Sequence, residues 1–351
     1  MYIKAQQYKQ DIKRIISLNL PWQKLQNQSL LLTGASGLIG TMLIDVLMAK
    51  NEKEQLNCNI YAVGRNKNKA LERLGDYWEN PNFHFMSIDV NQPILLKQNV
   101  DYIIHAASNT HPKLYASDPV GSLMTNLEGT YNLLEYGRTH DLKRMLFLSS
   151  VEIYGQALHS EDIFDENYCG YINCNEVRAC YPEGKRAGEA LCNAYMSKYR
   201  MDIVIPRLSR VYGPTMRLDD SKAMSQFLIN GLKGEDVVLK SQGLQRFSYS
   251  YVGDVVQGLL YCLLKGKCGE AYNIADVKAD MQLKDIAQYI ANLNGQKVIF
   301  DLPEAMEQKG FSKVTIGVMD SSKLQKLGWI PFDNLKSGIK KTIEIIRENI
   351  R

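Results

Sequence analysis

The fold of this chain is decided by the stretch Thr33-Gly34-Ala35-Ser36-Gly37-Leu38-Ile39-Gly40. It begins where a short apolar run at residues 30–33 ends, and it leads into a segment with helical periodicity at residues 38–50. Three glycines at this spacing let the backbone turn tightly, approach a pyrophosphate and pack a helix against a strand. A glycine triplet alone is a weak signal, but between a strand and a helix it predicts a dinucleotide phosphate loop.

Short apolar strands alternate with helices over the residues that follow. Strands are predicted at residues 59–63, 83–86, 102–104, 145–148 and 203–205, and helices at residues 119–138 and 182–199. Continuous apolar strands separated by helices are typical of a parallel sheet covered on both faces. Further strands at residues 248–252 and 271–274 are candidates to return to that sheet, and helices are predicted at residues 283–293 and 335–346.

These elements predict an α/β protein with a doubly wound (Rossmann) parallel sheet and a smaller, discontinuous C-terminal substrate-binding lobe. We expect an N-terminal extension at residues 1–28 and a dinucleotide-binding domain at residues 29–212, with a return segment at about 248–276. The lobe is assigned to residues 213–247 and 277–351. The segment 12–20 fits either an amphipathic helix packed on the body or a loosely held extension.

Composition limits the class of protein. The 351 residues are 45% hydrophobic and 23% charged, as in soluble globular proteins, and the net charge of +4 is too small to favour nucleic acid or a membrane surface. No apolar run approaches the ~20 residues of a membrane span, and the N-terminus lacks a signal-peptide pattern. Seven scattered cysteines without a CxxC pair predict reduced thiols and no metal site. We expect a cytoplasmic protein.

The second and third strands end where a dinucleotide places its adenosine. The second ends in Val63-Gly64-Arg65-Asn66, without the acid that usually binds the ribose. Arg65 suits a 2′-phosphate, which leaves NADP open beside NAD; it could equally be a solvated strand-end arginine. Asp89, with its neighbour Val90, follows the third strand and either meets an adenine edge or caps a turn.

A catalytic pair is predicted where the helix at residues 182–199 begins. Tyr181 and Lys185 lie four residues apart and so share a helix face. A tyrosine with a pKa of about 10 needs ~3 units of lowering to act as a base near neutral pH, which a neighbouring ammonium and a cationic nicotinamide can supply. Ser150 ends the fifth strand at the edge where such sheets bind ligands, although a strand-end hydroxyl also suits a turn cap.

From residue 29 onward the chain resembles the extended short-chain dehydrogenases/reductases that modify nucleotide sugars. Besides the motifs above, the resemblance rests on His105-Ala106-Ala107-Ser108, Asn126, residues 149–155 and Arg207…Tyr212-Gly213-Pro214. Within this group it is most similar to UDP-glucuronate decarboxylases, through residues 178–186 and the spacing of His105, Pro112, Tyr115 and Pro119. The resemblance implies tightly held NAD contacted by Ala106, Ala107, Ser108, Asn126, Tyr181 and Lys185. It also implies a UDP-sugar substrate and a homodimer formed by the two long helices.

The reaction type depends on Ser150-Val151-Glu152-Ile153-Tyr154-Gly155. In this family dehydratases carry an Asp-Glu pair there, simple 4-epimerases usually lack the Glu, and decarboxylases keep the Glu without the Asp. Val151 followed by Glu152 therefore implies decarboxylation: Tyr181 takes the C4 hydroxyl proton, NAD takes and returns the hydride, and Ser150 with Tyr181 holds the enolate. Glu152 could instead be a solvated surface residue. The alternative functions are a 4-epimerase, a 4,6-dehydratase, an NADPH-dependent 4-keto reductase and a non-catalytic dinucleotide sensor.

Two arginine positions depart from the family pattern. Arg210 stands where relatives place an Asn, and the relatives' later arginine aligns with Phe247, one residue after Arg246. Because neighbouring residues of an extended segment face opposite sides, we expect Arg210 to take over the substrate contact, unless a bulge turns Arg246 inward. Tyr115 and Tyr251 are the other expected substrate contacts.

Overall fold

The computed structural model describes residues 4–159, 162–301 and 313–350. The strands are β1 (Ser29–Thr33), β2 (Asn59–Gly64), β3 (Phe83–Ser87), β4 (Tyr102–His105), β5 (Arg144–Phe147), β6 (Ser149–Ser150), β7 (Ile203–Leu208), β8 (Arg210–Tyr212), β9 (Val237–Leu239), β10 (Arg246–Tyr251), β11 (Ala271–Ile274), β12 (Asp280–Gln282), β13 (Val298–Phe300) and β14 (Ile316–Gly317). The main helices are α1 (Gln6–Ile16), α2 (Leu38–Glu54), α3 (Lys67–Leu74), α4 (Pro112–Ser117), α5 (Pro119–Thr139), α6 (Cys180–Tyr199), α7 (Ala223–Lys233), α8 (Val252–Lys265) and α9 (Leu283–Asn294), followed by Ser322–Gln325 and Leu335–Ile350. In the described part of the chain, no helix combines the length and apolar character needed to cross a membrane.

The large sheet is parallel and has the strand order β11-β7-β5-β4-β1-β2-β3, with β6 also paired to β7. The order reverses between β1 and β4, where the chain crosses from one half of the sheet to the other. In doubly wound sheets this reversal opens a crevice at the carboxyl ends of the strands. The predicted fold class is confirmed, and the crevice is the expected ligand site.

Alternate residues of β1 pack on opposite faces of the sheet. Leu30 and Leu32 join a core formed with α2 and α8, whereas Leu31 joins a second core formed with α5 and α6. Both faces of the sheet are buried, which explains why the strands are continuous apolar runs and do not alternate between apolar and polar residues.

A smaller sheet is built around β10. This strand pairs with β8, β12 and β14, and a separate pair joins β9 to β13. Of the two strands expected to return to the large sheet, residues 271–274 do so beside β7, but residues 248–252 belong to the smaller sheet. The reason is that the chain turns directly from Tyr251 into α8, an apolar helix that the sequence analysis did not predict and that covers the large sheet instead.

The N-terminal segment is an integral part of the molecule. Helix α1 buries Tyr8, and the Tyr8 hydroxyl donates to Asp45 Oδ2 on α2 at 2.6 Å. Asp11 on the same helix accepts the Tyr251 hydroxyl at 2.7 Å and pairs with Lys341 at 2.7 Å. Of the two interpretations left open by the sequence, the packed amphipathic helix is the correct one, but it spans Gln6–Ile16 and not residues 12–20.

Candidate active site

The glycine loop lies between β1 and α2 at the reversal of strand order. Gly34 has φ +71°, and a Cβ there would lie 2.8 Å from the carbonyl oxygen of Ala106, so only glycine fits. Gly37 is the N-cap of α2 and offers no side-chain cap, which leaves the first N–H groups of the helix directed to the crevice. Ala35 is buried and donates its N–H to Val63 O at 3.2 Å, which ties the loop to β2.

The rest of the loop closes the bottom of the crevice. Gly40 packs on the backbone of Gly34 with no room for a Cβ, while Ser36, Leu38 and Ile39 are half-buried around it. A tight glycine cradle with uncapped N–H groups at a helix start suits the pyrophosphate of a dinucleotide. The residues present therefore fit NAD, with the loop 34–40 as its phosphate site.

The opposite wall of the cofactor crevice is held by buried polar groups behind β4. His105 contacts Thr33 Oγ1 through Nδ1 at 2.9 Å, and the same hydroxyl accepts the Ala107 N–H at 3.0 Å. Burial lowers the pKa of His105 to about 3, helped by the nearby Lys185 charge, so the imidazole is neutral. Ser108 donates to the buried Asn126 at 2.9 Å. These bonds fix the strand end against which the dinucleotide would lie.

The adenosine end is less well defined by its side chains. Arg65 is exposed after β2. Asp89 Oδ1 accepts the Asn91 N–H at 3.1 Å, so the turn cap that the sequence left open is present. Val90 is buried against Gly129 of α5, where it positions the turn. None of these contacts selects between a free ribose and a 2′-phosphate.

The three predicted catalytic side chains converge at the end of β6. Ser150 caps the short 3-10 turn Val151–Tyr154 by accepting the Glu152 N–H at 3.3 Å, and its hydroxyl also hydrogen-bonds Tyr181. Tyr181 lies in the first turn of α6, and Lys185 follows one turn later with its Nζ donating to Leu148 O at 2.7 Å. The serine thus serves both as the turn cap and as the partner of the tyrosine.

Charges around Tyr181 differ from those expected from the sequence. Burial raises the pKa of Tyr181, as does Glu152, whereas the Ser150 hydrogen bond and the guanidinium groups of Arg178 and Arg210 lower it. Burial also lowers the pKa of Lys185 to about 8. The strongest cationic support for a tyrosinate therefore comes from two arginines, and further positive charge is needed to bring the base into the neutral range.

Glu152 is buried at the centre of a cluster of charges. Its carboxylate has a side-chain exposure of 8%, with Arg178 Nη2 at 3.0 Å from Oε2 and Arg210 Nη2 at 2.9 Å from Oε1. Arg178 belongs to the stretch 178–186 that carries the family resemblance, but no role was predicted for it. Its position three residues before Tyr181, in the 3-10 turn Val177–Ala179 that leads into α6, was the available signal.

Aromatic rings hold both arginines. Arg178 lies 4.4 Å above the ring of Tyr115, whose centroid is 5.0 Å from that of Tyr181. Arg210 lies 4.0 Å above the ring of Phe247. Phe247 stands where the relatives have an arginine, and no role was predicted for it. The expected substrate residues Tyr115 and Arg210 are therefore brought to Tyr181.

Arg246 and Tyr251 are placed elsewhere. Arg246 is bonded through two nitrogens to Asp280 on β12, while its neighbour Phe247 faces Arg210, as alternation along β10 requires. The Tyr251 hydroxyl is used by Asp11. These placements lend no support to a substrate contact by either residue.

A doubly wound sheet, a glycine loop at its reversal and a tyrosine–lysine helix define a dinucleotide-dependent enzyme fold. Residues 30–275 match the NAD dependent epimerase/dehydratase family. The chain is 31% identical over 319 residues to UDP-glucuronic acid decarboxylase 3 of Arabidopsis thaliana (89% of this chain, 87% of that protein). It is 30% identical over 349 residues to UDP-glucuronic acid decarboxylase 1 of Xenopus tropicalis (97% of this chain, 78% of that protein). A solved UDP-glucuronic acid 4-epimerase from Bacillus cereus, in complex with UDP-glucuronic acid and NAD, has a TM-score of 0.78 and 22% identity, covering 92% of this chain and 99% of that one.

The chain belongs to the NAD-dependent epimerase/dehydratase family. The match covers more than half of the chain, and the related proteins are enzymes. The expected family, NAD as cofactor and the enzyme class are thereby confirmed.

Proposed function

We propose that the protein decarboxylates a UDP-linked uronate, as the names of its curated relatives suggest, converting UDP-glucuronate into UDP-xylose and CO2. The observation that carries the proposal is the buried Glu152, beside Ser150 and Tyr181, with Val151 where an elimination enzyme would need a second acid. One carboxylate without a partner acid suits loss of CO2 better than loss of water.

The chain's own residues divide the chemical work. Tyr181 takes the proton from the C4 hydroxyl, and the Ser150 hydroxyl, which here bonds to Tyr181, would donate to the C4 oxygen of the substrate. NAD held by the loop 34–40 would supply the acceptor, and later the donor, of the C4 hydride. A 4-keto sugar carries its ketone β to the C6 carboxylate, so that CO2 can leave as electron density moves onto the C4 oxygen. Ser150 and Tyr181 stabilise that oxyanion, and the enolate then takes a proton at C5, which restores the C4 ketone for re-reduction.

A uronate 4-epimerase is the second candidate. The observation that favours it is the pair of guanidinium groups beside Tyr181, Arg178 and Arg210. An acid group held firmly by two cations is stabilised in the ground state, which opposes its loss. The balance between the two reactions depends on how far Glu152 weakens binding of the substrate acid group by the two arginines.

The first prediction concerns the product. Incubation of the purified protein with UDP-glucuronate is expected to give a nucleotide sugar lighter by one CO2, without added reductant, because the hydride is returned to the same sugar. Mass spectrometry of the nucleotide sugars measures this directly, and denaturing the protein should release NAD rather than NADP.

Three outcomes contradict the decarboxylase proposal. Unchanged mass with altered retention identifies the epimerase. Loss of one water identifies a dehydratase, and consumption of stoichiometric NADPH identifies a reductase. UDP-glucose, which lacks the acid group, is the matched control substrate.

A homodimer through α5 and α6 is also proposed. These helices form an open apolar groove, lined by Met124, Leu127, Glu128, Tyr131, Ala187, Ala190, Leu191 and Ala194. Tyr131 is a large aromatic residue, yet 48% of its side chain is exposed in this groove. Apolar surface of this kind on paired long helices suits burial against a second copy.

The second prediction tests this interface. Ala190→Arg is expected to convert the dimer, which has twice the 39.9 kDa mass of the chain, into a monomer. The reason is that a guanidinium buried in the groove would have no partner there. Light scattering coupled to size exclusion measures the change. Asn193→Arg, at an exposed position of the same helix that is turned away from the groove lining, is the control and should remain dimeric. A dimeric Ala190→Arg variant would exclude this interface.

A further inference from the structure

The cluster around Glu152 contains two positive charges and only one negative charge. Two guanidinium groups, with side-chain exposures of 12% for Arg178 and 33% for Arg210, share the single carboxylate of Glu152. Within the described residues, Arg178 Nε and Nη1 and Arg210 Nε are buried without a hydrogen-bond partner. Buried, unpaired charged donors are costly, so this cluster is incomplete as it stands.

We propose that Arg178 and Arg210 together bind the acid group of the substrate sugar, and that this arginine pair makes the enzyme selective for uronates over neutral sugars. The inference rests on the proposed function in taking a nucleotide sugar whose C4 hydroxyl meets Tyr181. In a pyranose ring, C4 and the carbon bearing C6 are neighbours, so the C6 group lies beside the C4 hydroxyl. The guanidinium carbon of Arg178 is 5.7 Å from the centroid of the Tyr181 ring, which is close enough for Arg178 to reach a C6 group beside the C4 hydroxyl.

Arginine suits this task through its geometry as well as its charge. The planar guanidinium matches a carboxylate with paired N–H donors, which an Asn at position 210 could not do. Stacking on Phe247 and on Tyr115 fixes the planes of Arg210 and Arg178 before substrate arrives. Less conformational entropy is then lost on binding.

Glu152 acts as a positioning residue for the pair. It orients both guanidinium groups and occupies one donor of each, so that they are shared between the protein carboxylate and the substrate carboxylate. The two carboxylates repel one another across the shared cations. A neutral sugar leaves the excess positive charge and the buried N–H groups unsatisfied, and this penalty is the source of selectivity.

The third prediction is a set of affinities measured by calorimetry with UDP-glucuronate and UDP-glucose. The unmodified protein should bind the uronate more than tenfold more tightly. Arg210→Asn, which installs the relatives' residue, should weaken UDP-glucuronate binding by about ten- to a hundredfold while UDP-glucose binding changes little. Glu152→Gln should strengthen UDP-glucuronate binding, because both arginines become available to the substrate.

The response to Glu152→Gln separates this proposal from a purely structural ion-pair cluster, in which loss of Glu152 weakens binding of both ligands equally. UDP-glucose binding to each variant reports whether the nucleotide site has folded. Equal affinities for the two ligands in the unmodified protein, or a preference lost in Arg246→Asn and kept in Arg210→Asn, would overturn the proposal. If the uronate preference depends on Arg210 but no CO2 is released, the proposed decarboxylation fails and the arginine pair stands. If CO2 is released but Arg210→Asn keeps the preference, the reverse holds.

Discussion

Tyr181→Phe is expected to lower turnover by about 10²–10⁴-fold and to leave nucleotide-sugar binding nearly intact. The substitution removes the hydroxyl that bonds to Ser150 and takes the substrate proton, but it keeps the buried ring against Tyr115. Single-turnover measurement of NADH absorbance reports hydride transfer, and calorimetry reports binding. Because the pKa of Tyr181 is raised by burial, the rate in the unmodified protein should rise with pH as the tyrosinate forms.

Tyr115→Phe provides the comparison for this prediction. The centroids of the Tyr115 and Tyr181 rings are 5.0 Å apart. Tyr115→Phe removes the hydroxyl of this buried neighbour and keeps its ring beneath Arg178. A much smaller loss of turnover is expected. A Tyr181→Phe variant with more than about a third of the original turnover would show that another group removes the proton.

Lys185→Met is expected to lower turnover by about 10²–10³-fold, the loss typical of one positioned cationic or hydrogen-bond donor in a dry site. Lys185 is 3% exposed and its pKa is lowered to about 8 by burial. Its ammonium is therefore largely present at pH 7 and is lost as the pH rises through 8. Because the pKa of Tyr181 lies above that of Lys185, the rise in activity with pH should level off above about pH 8 instead of continuing.

The pH profile distinguishes a role in catalysis from a role in packing. If Lys185 acts through its charge, this levelling-off disappears in Lys185→Met and activity keeps rising with pH, whereas a packing role would lower activity equally at every pH. Lys185→Met also removes the bond to Leu148 O, so thermal unfolding must be measured beside it. A variant that keeps both its turnover and its levelling-off above about pH 8 contradicts the assignment.

The large sheet could be predicted because its signal is local. Each strand is buried on both faces and so reads as a short apolar run, and the loop around Gly34 can only serve one geometry. Helix α5 shows the same local coding: it begins at Pro119, directly after Asp118, whose side chain accepts the Gly121 N–H at 2.9 Å. Predicted and observed ends of these elements differ by a few residues at most.

Helix α8 and the strand β10 before it were harder to predict. The sequence of α8 is apolar nearly all round, because it is buried between the large sheet and α1, α2 and the C-terminal helix. A mostly apolar run of this kind, directly after a strand, is hard to distinguish from a buried strand by its sequence pattern. The role of β10 depends on pairing with β8, β12 and β14, which are distant in sequence, so no local pattern reveals its sheet.

The catalytic pair was predictable from spacing, but its electrostatic surroundings were not. Tyr181 and Lys185 share a helix, so four residues fix their relation. Arg210, Glu152 and Phe247 come from three separate segments and meet only in the folded chain. Their charges act on Tyr181 through space, and a sequence carries no record of those distances.

The contact between Asp11 and Lys341 also has a consequence for synthesis of the chain. These residues are separated by 330 positions, yet they form one ion pair beside the Tyr251 hydroxyl. At ~5–20 residues per second, a ribosome needs roughly 15–65 s to deliver the lysine after the aspartate. During that time the apolar side of α1 has neither its cation nor the final helix to pack against. Helix α2 can cover one part of α1 early, but the part that packs on the C-terminal helix stays exposed until synthesis is complete, and a cotranslational chaperone could bind it over that interval.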